Sequence, residues 1–474
     1  MSPAQGSDKG SRGRKVLVIG LDCAEPTLVF ERWRDDLPTL RRLMSQGAYG
    51  PLRSSHPPIT VPAWSCMFSS KDPGQLGFYG FRNRADTSYE RMRIATSLAV
   101  DVDRVWDVLS RAGRRSILVS VPQTYPVKPL HGVCISCFLT PPGGARWCWP
   151  ASLKDDITAL LGGEAYMFDV QNFRTENKSW LLQQIYKMAA QHFKVIHHLM
   201  DTQPWDLFMF VDMGVDRIHH GFWAYMDPEH PRYEPGNPFE DAIHDYYVYL
   251  DGELGQLLEK LDADTAVLVV SDHGAKPLEG GFCINEWLKQ QGLLVLKDQP
   301  PGLVPLEKCE VDWEQTKVWG SGGYYARVFF NVAGREPHGI IPAGEVETFR
   351  EEMIRRFEAT TDHEGHLLGT VALKPQELYR EVRNIAPDLL VYFGNLGWRS
   401  VGSLGFDAIH TFENDTGPDD ANHAQDGIVI LYDPQRDLGG QRLSGLQLEC
   451  VAPTILRLMN VDIPASMEAE PIAI

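Results

Sequence analysis

No stretch of this chain reaches the roughly 18 consecutive apolar residues that a membrane-spanning helix needs. Its 474 residues therefore read as a chain with no membrane span. Cysteine is sparse. Eight residues, at positions 23, 66, 134, 137, 148, 283, 309 and 450, are scattered along the chain, which excludes a scaffold held by disulfides. Cys134 and Cys137 form a CxxC (CISC), but no second pair stands at zinc-finger spacing. The surrounding "GVCISCFL" reads as a strand, so the pair is assigned to packing. Basic charge is also short: 45 Lys and Arg against 63 Asp and Glu give a formal net charge of −18. That excludes non-specific binding to nucleic acid or to anionic membranes, which needs a basic surface. An anionic substrate stays open if local positive charge overcomes the overall field. Residues 1–14, "MSPAQGSDKGSRGR", lack the apolar core of a signal peptide. They are expected to form a flexible tail, and the chain is expected to be cytoplasmic. No internal repeat is present.

What the chain does have is a series of short, uniformly apolar runs: "KVLVIGLD" (15–22), "RSILVSV" (115–121), "DLFMFVD" (206–212), "TAVLVVSD" (265–272), "DLLVYFG" (388–394) and "GIVILYD" (427–433). Such runs suit strands buried on both faces of a parallel sheet. Helical patterns lie between them, at 39–46, 103–113 and 241–261. Alternation of this kind predicts an α/β fold, a three-layer α/β/α sandwich around a mostly parallel central sheet. Residues 276–384, mixing Pro, Gly, short strands and a helix near 344–358, break the rhythm and read as an inserted cap. Residues 143–205, helical and aromatic, read as a smaller elaboration. The catalytic core is then 15–275 together with 385–474.

In open α/β sheets, ligands bind beyond the carboxyl ends of the strands. The residues at those ends are Asp22, then Asp216 and His220 in "DMGVDRIHHGFW", then Asp272 and His273 in "SDHG". His423, in "ANHAQDG", stands just before the 427–433 run. Each has a bland reading alone, as a cap, a surface pair or a turn residue. Together they set three carboxylates and three imidazoles at one rim. Mixed Asp/His sets suit zinc or manganese, and six ligands are too many for one tetrahedral site but fit two metals with open positions. His219 is an alternative to His220, although the i, i+4 spacing from Asp216 favours the latter. Asp212 reads as the end of a strand rather than a further ligand.

"PITVPAWSCMFSS" (58–70) completes the set. Pro62 suits the first turn of a helix, which puts Thr60 at the helix N-terminus, where free N–H groups and the dipole attract phosphate. A threonine hydroxyl is a weak nucleophile unless a base or a metal activates it. A metal beside Thr60 supplies that activation.

The motifs "GLDCAEP" (20–26), "ITVPAW" (59–64), "DRIHH" (216–220), "VVSDHG" (269–274) and "NHAQDG" (422–427) together resemble the alkaline phosphatase superfamily, in its nucleotide pyrophosphatase/phosphodiesterase branch. The resemblance implies a metal-dependent hydrolase with two divalent ions, zinc ahead of manganese. It implies one site on Asp216, His220 and His423 and another on Asp22, Thr60, Asp272 and His273. It also implies that Thr60 becomes transiently phosphorylated or nucleotidylated, on a small phosphodiester or nucleotide-type substrate. "GREPHG" (334–339) and "INEWLKQQG" (284–292) resemble bacterial members and add weak support.

The chain departs from the family where many members carry Asn after the proline of Thr-x-Pro; here it is Ala63. Asn83, flanked by Arg82 and Arg84, is the expected substrate-binding residue. Sulfatases share the fold but need a Cys or Ser nucleophile followed by an Arg where Trp64 stands. A phosphomonoesterase or a phosphonate hydrolase is the alternative activity, and an idle phosphate-binding protein the alternative from another class. Trp319, Tyr324 and Tyr325 of the cap are expected to shape the leaving-group pocket.

Overall fold

A computed structural model describes residues 14–473. The flexible-tail reading of 1–14 thus lies outside the described residues except at Arg14, which is tied down by an ion pair to Asp433 (Nη1 to Oδ2, 3.0 Å). Five of the six apolar runs lie in the middle of one large sheet. Its central strands are β1 (Val16–Leu21), β2 (Ala48–Arg53), β3 (Ser116–Val119), β4 (Gly132–Ile135), β5 (Leu207–Asp212), β6 (Ala266–Val270) and β7 (Asp426–Tyr432). They lie side by side in the order β2-β7-β6-β1-β5-β3-β4. The five strands from β6 to β4 are parallel. β7 runs antiparallel to both its neighbours.

Alternate residues of β1 enter two separate cores. Leu17, Ile19 and Leu21 face one and Val16 and Val18 the other. A strand apolar on both faces needs cover on both sides, and helices supply it. On the Val16 face lie α1 (Thr60–Ser69), Val105–Arg111 and Val451–Leu458; on the Leu17 face lie α2 (Lys178–Thr202), α3 (Gly214–Met226) and Ala242–Leu258. The result is the three-layer sandwich. The 143–205 elaboration belongs to it, because α2 buries Leu181, Ile185 and Met188 in the same core. Cys134 and Cys137 are free and buried. No helix among the described residues is long and apolar enough to cross a membrane.

The cap differs from expectation at both ends. Its four-stranded antiparallel sheet is built from Val318–Ser321, Ala326–Phe330, Leu389–Tyr392 and Val371–Leu373, with Met353 and Phe357 of the helix Val346–Glu358 packed in its core. The run at 388–394, read as a strand of the main sheet, is therefore a cap strand, and the cap core continues through Trp398 to Leu404. At the other end, Gly274–Pro277 stays beside the main sheet and pairs with Ala421–Ala424. A short apolar run suits a buried strand of either sheet, so the local pattern does not choose between them.

Candidate metal centre

Sheet register gathers the acidic residues. Leu21 pairs with Asp212, and Gly20 pairs with Val270. Asp22 and Asp272 therefore leave adjacent strands at the same level, and α3 starts there with Asp216 in its first turn. β7 runs the opposite way, with Val429 opposite Val270, so its start lies at this same rim. That is how His423, three residues ahead of Asp426, arrives among candidate ligands from the carboxyl ends of the other strands. Thr60 is the first residue of α1, after extended Ile59.

Thr60, Asp22, Asp216, His220, Asp272, His273 and His423 are all buried. His273 Nε2 lies 3.4 Å from Thr60 Oγ1, 3.2 Å from Asp272 Oδ2 and 3.7 Å from Asp22 Oδ1. His220 Nε2 lies 3.2 Å from Asp216 Oδ1 and 3.3 Å from His423 Nε2, with His423 Nε2 3.8 Å from Asp216 Oδ1. Two clusters of donor atoms thus sit side by side, and His273 also lies close enough to Asp216 and His423 to bridge them.

Each imidazole is pinned from behind. Nδ1 of His220 meets Asp419 Oδ1 at 2.7 Å, Nδ1 of His273 meets the Gly274 carbonyl at 3.1 Å, and Nδ1 of His423 meets the Pro58 carbonyl at 2.7 Å. Acceptors at all three Nδ1 atoms place the proton there, which turns an Nε2 lone pair inward on each ring. Facing those lone pairs are Asp22 Oδ1, Asp216 Oδ1 and Asp272 Oδ2, all buried without a hydrogen-bond partner among the described residues. Buried carboxylate oxygens left unpaired are costly, and lone pairs crowded on lone pairs call for cations between them. The donor set fits divalent metal ions, with borderline N and O ligands.

The electrostatics carry the same signature. Burial, then repulsion from Asp216, raises the Asp22 carboxyl well above its usual range, and burial with repulsion from Asp22 does the same to Asp272. Burial works to raise Asp216 as well, but His220 and Arg217 outweigh it and hold that carboxyl well below its usual range. Burial opposes a charged His220, yet Asp419 and Asp216 push it up to about 9, so this ring must give up its Nε2 proton before that nitrogen can serve as a ligand. Burial pulls His273 down to about 4.

Trp64 has a task that the sequence did not reveal. Its indole N–H donates to Asp22 Oδ2 at 2.6 Å, which orients the carboxylate. A Cβ on Gly20 would come within 2.7 Å of the Trp64 ring and 2.7 Å of Val211 Cγ2. Gly20→Ala is therefore expected to destabilise the fold by about 1–3 kcal/mol through overpacking, read by denaturant unfolding. Activity should fall further than stability alone accounts for, because Trp64 cannot shift without moving Asp22.

His219, the alternative ligand, points elsewhere: its Nε2 lies 3.3 Å from the Tyr247 hydroxyl. Asp212 accepts from the Tyr246 hydroxyl and from the Val215 N–H at 3.1 Å, and closes the turn into α3. Asn83 is not brought to the cluster. Its Oδ1 accepts from the Tyr79 N–H at 2.7 Å and its Nδ2 donates to the Gly80 carbonyl at 2.9 Å, so its amide is spent inside its own turn. Arg84 is buried in an ion pair with Glu336 (2.9 Å) and lies against Trp319 and Phe329. The "GREPHG" segment, which contains Glu336, thereby helps to hold the cap.

Beside Thr60, Asp216 and His423 opens a cleft of about 470 Å³. Tyr324 and Tyr325 line it, with the Tyr324 ring 5.0 Å from that of His220 and 4.1 Å from that of His423. Trp319 lies in an adjoining chamber instead. Five arginines also line the cleft: Arg82, Arg174, Arg217, Arg327 and Arg399. Arg174 is paired with Asp419 and Arg217 with Asp169 and Asp216, while Arg82, Arg327 and Arg399, which have no carboxylate to themselves, leave local positive charge in a chain of net charge −18. The charges are scattered through the sequence, so no local motif announces them.

Known proteins share this fold. The chain superposes on human ectonucleotide pyrophosphatase/phosphodiesterase 5 with a TM-score of 0.53 at 12% identity, covering 95% of this chain and 96% of that one. It superposes on the phosphonoacetate hydrolase of Sinorhizobium meliloti, in complex with phosphonoacetate, with a TM-score of 0.58 at 15% identity and the same coverage. An inactive murine ectonucleotide pyrophosphatase/phosphodiesterase 5 in complex with AMP gives 0.52 at 12% identity, again covering 95% and 96%. These likenesses establish the fold. No curated protein matches the sequence significantly. The family model for type I phosphodiesterase / nucleotide pyrophosphatase matches residues 16–419, a span that takes in Asp22, Thr60, Asp216, His220, Asp272 and His273. On that match the chain belongs to the type I phosphodiesterase / nucleotide pyrophosphatase family and is a hydrolase acting on phosphoester bonds.

Proposed function

We propose that the chain is a two-metal phosphodiesterase or nucleotide pyrophosphatase that works through a covalent Thr60 intermediate. The observation that carries this reading is the inward convergence of three Nδ1-pinned imidazoles and three orphaned carboxylate oxygens next to the Thr60 hydroxyl. Asp216, His220 and His423 would hold one ion, and Asp22, Thr60, Asp272 and His273 the other, with zinc the favoured metal. When bound, such ions lower the pKa of a coordinated hydroxyl and neutralise charge that builds on phosphoryl oxygens.

The chain's own residues do the rest. Thr60 Oγ1 gives up its proton to solvent and attacks phosphorus; the O–P bond forms as the bond to the leaving oxygen breaks, and that oxygen takes up a proton from solvent as it departs. The phosphoryl group then sits at the N-terminus of α1, where the first N–H groups have no carbonyl within the helix to meet. Water cleaves the threonine ester and restores the hydroxyl. Asp419, behind His220, keeps the imidazole oriented throughout. Small phosphorus-containing anions, such as the AMP and phosphonoacetate bound by two of the structural neighbours, are the class of ligand that the cleft suits.

The test compares bis-p-nitrophenyl phosphate with p-nitrophenyl phosphate on zinc-loaded protein. The diester is expected to be cleaved at least about tenfold faster in kcat/KM. A preference for the monoester would overturn the phosphodiesterase reading in favour of a phosphatase. Two bound metals with no turnover of either ester would favour the idle binding protein.

A further inference from the structure

The cleft beside Thr60 adjoins a second chamber of about 360 Å³. The two share a wall made of Arg82, Gly322, Gly323, Arg327, Arg399 and Thr416. Three of those six residues are arginines, and none has a carboxylate to itself. Arg82 is exposed and makes no ion pair among the described residues. The Arg327 guanidinium donates to the Arg82 carbonyl and, at 2.7 Å, to the Ser321 hydroxyl, both neutral acceptors.

Arg399 is only 4% exposed, yet it is loosely held. Its Nη atoms reach Asp419 at 3.4 Å and the Thr416 hydroxyl at 3.4 Å, and its Nε has no partner among the described residues. The carboxylate it does reach, Asp419, also serves Arg174 at 3.0 Å and His220 at 2.7 Å. Carboxylates do line the second chamber: Glu90, Glu307 and Asp415. None of them forms an ion pair with the three arginines, and Asp415 accepts instead from the Ser403 hydroxyl at 2.9 Å. A buried guanidinium with an idle N–H is costly. Its planar fork is built to meet an oxyanion.

We propose that Arg82, Arg327 and Arg399 form a second oxyanion subsite, which binds a phosphate or carboxylate carried by the substrate away from the phosphorus that Thr60 attacks. The proposal rests on the reading of Thr60 as the nucleophile. It narrows the substrate to a phosphodiester or pyrophosphate bearing a further acidic group. Arg399 lies between the two chambers, with its guanidinium 5.7 Å from the Tyr324 ring centre, so one ligand can reach the Thr60 cleft and the arginine wall together.

The experiment uses p-nitrophenyl alkyl phosphodiesters on linkers of graded length, ending in a carboxylate, a phosphate or a neutral carboxamide. With the metal-loaded enzyme, the best acid-ended ester is expected to exceed its carboxamide counterpart by about tenfold or more in kcat/KM. Arg327→Gln and Arg82→Gln are expected to pull that ratio towards one, with melting temperatures close to the parent's. Equal rates for acid and amide at every linker length would overturn the subsite, and so would a ratio that both variants leave unchanged. If no ester is turned over, the nucleophile reading fails instead. Calorimetric binding of the acid-ended and carboxamide esters then decides the subsite alone: a tighter acid that loosens in Arg327→Gln supports it, and equal affinities reject it.

Discussion

Thr60→Ala is expected to lower diester turnover by at least about a thousandfold while two metals still bind and the melting temperature holds. The hydroxyl that is lost stands 3.4 Å from His273 Nε2. The other six residues of the cluster keep their partners, because those partners come from the sheet edge, α3 and the turn before β7. Alanine also suits the first turn of a helix, so α1 should persist. Metal analysis of the purified variant and a thermal melt separate loss of the nucleophile from loss of the site. Turnover within about tenfold of the parent would remove Thr60 from the mechanism. Trapping a labelled threonine ester after rapid acid quench of the parent, absent in the variant, gives the positive form of the same result.

Removing the metal is expected to cost stability as well as activity. Stripping by a chelator should abolish turnover and lower the melting temperature by roughly 5 °C or more, with both restored by zinc. The physical source is the set of buried carboxylates. Asp22 Oδ1, Asp216 Oδ1 and Asp272 Oδ2 lack hydrogen bonds among the described residues, and burial raises the Asp22 and Asp272 carboxyls, helped by repulsion from Asp216 on the first and from Asp22 on the second.

This cause makes a crossing prediction for Asp22→Asn. In stripped protein the variant should melt higher than the parent, because the cost of burying or protonating that carboxyl is gone while the amide oxygen can still accept from the Trp64 indole. In zinc-loaded protein the order should reverse, because the variant loses a ligand. If Asp22→Asn melts lower in both states, the carboxylate has a structural task and the metal reading of that cluster fails. Melts of both proteins with and without zinc provide the check.

Much of the site is legible in the amino-acid sequence. Asp22, Asp216, Asp272 and His273 stand directly after apolar runs or within one helical turn of them. In a parallel sheet that position alone brings residues to a common edge. His220 follows from Asp216 by one helical turn, and the side chains agree with this spacing: His220 faces Asp216 while His219 turns to Tyr247. Thr60 is marked by Pro62 in the first turn of its helix. These signals are local, and local geometry is what a sequence pattern encodes.

The arginine wall, Asp419 and Trp64 are not legible in that way: the wall gathers residues from 82 to 399, and Asp419 and Trp64 act through His220 and Asp22, 199 and 42 residues away. Arg174 reaches Asp419 across 245 residues, and His423 reaches the Pro58 carbonyl across 365. Asn83 misleads for a related reason. Its position after Thr60 suits a phosphate ligand, but its amide is consumed within its own turn, and side-chain direction is not written in spacing. The run at 388–394 misleads because a short apolar run is consistent with any buried strand, and only pairing assigns it to the cap sheet.

Chain order and residue pattern were enough for the α/β sandwich, the rim of acids and imidazoles, and the threonine at a helix start, since periodicity and strand-end position follow from backbone geometry. Three outcomes needed the folded molecule: which imidazole nitrogen faces inward, where the cap begins and ends, and the turning of five guanidinium groups into one cleft of an acidic chain. Those outcomes depend on long-range packing, which sets side-chain direction and charge balance after the backbone has been placed.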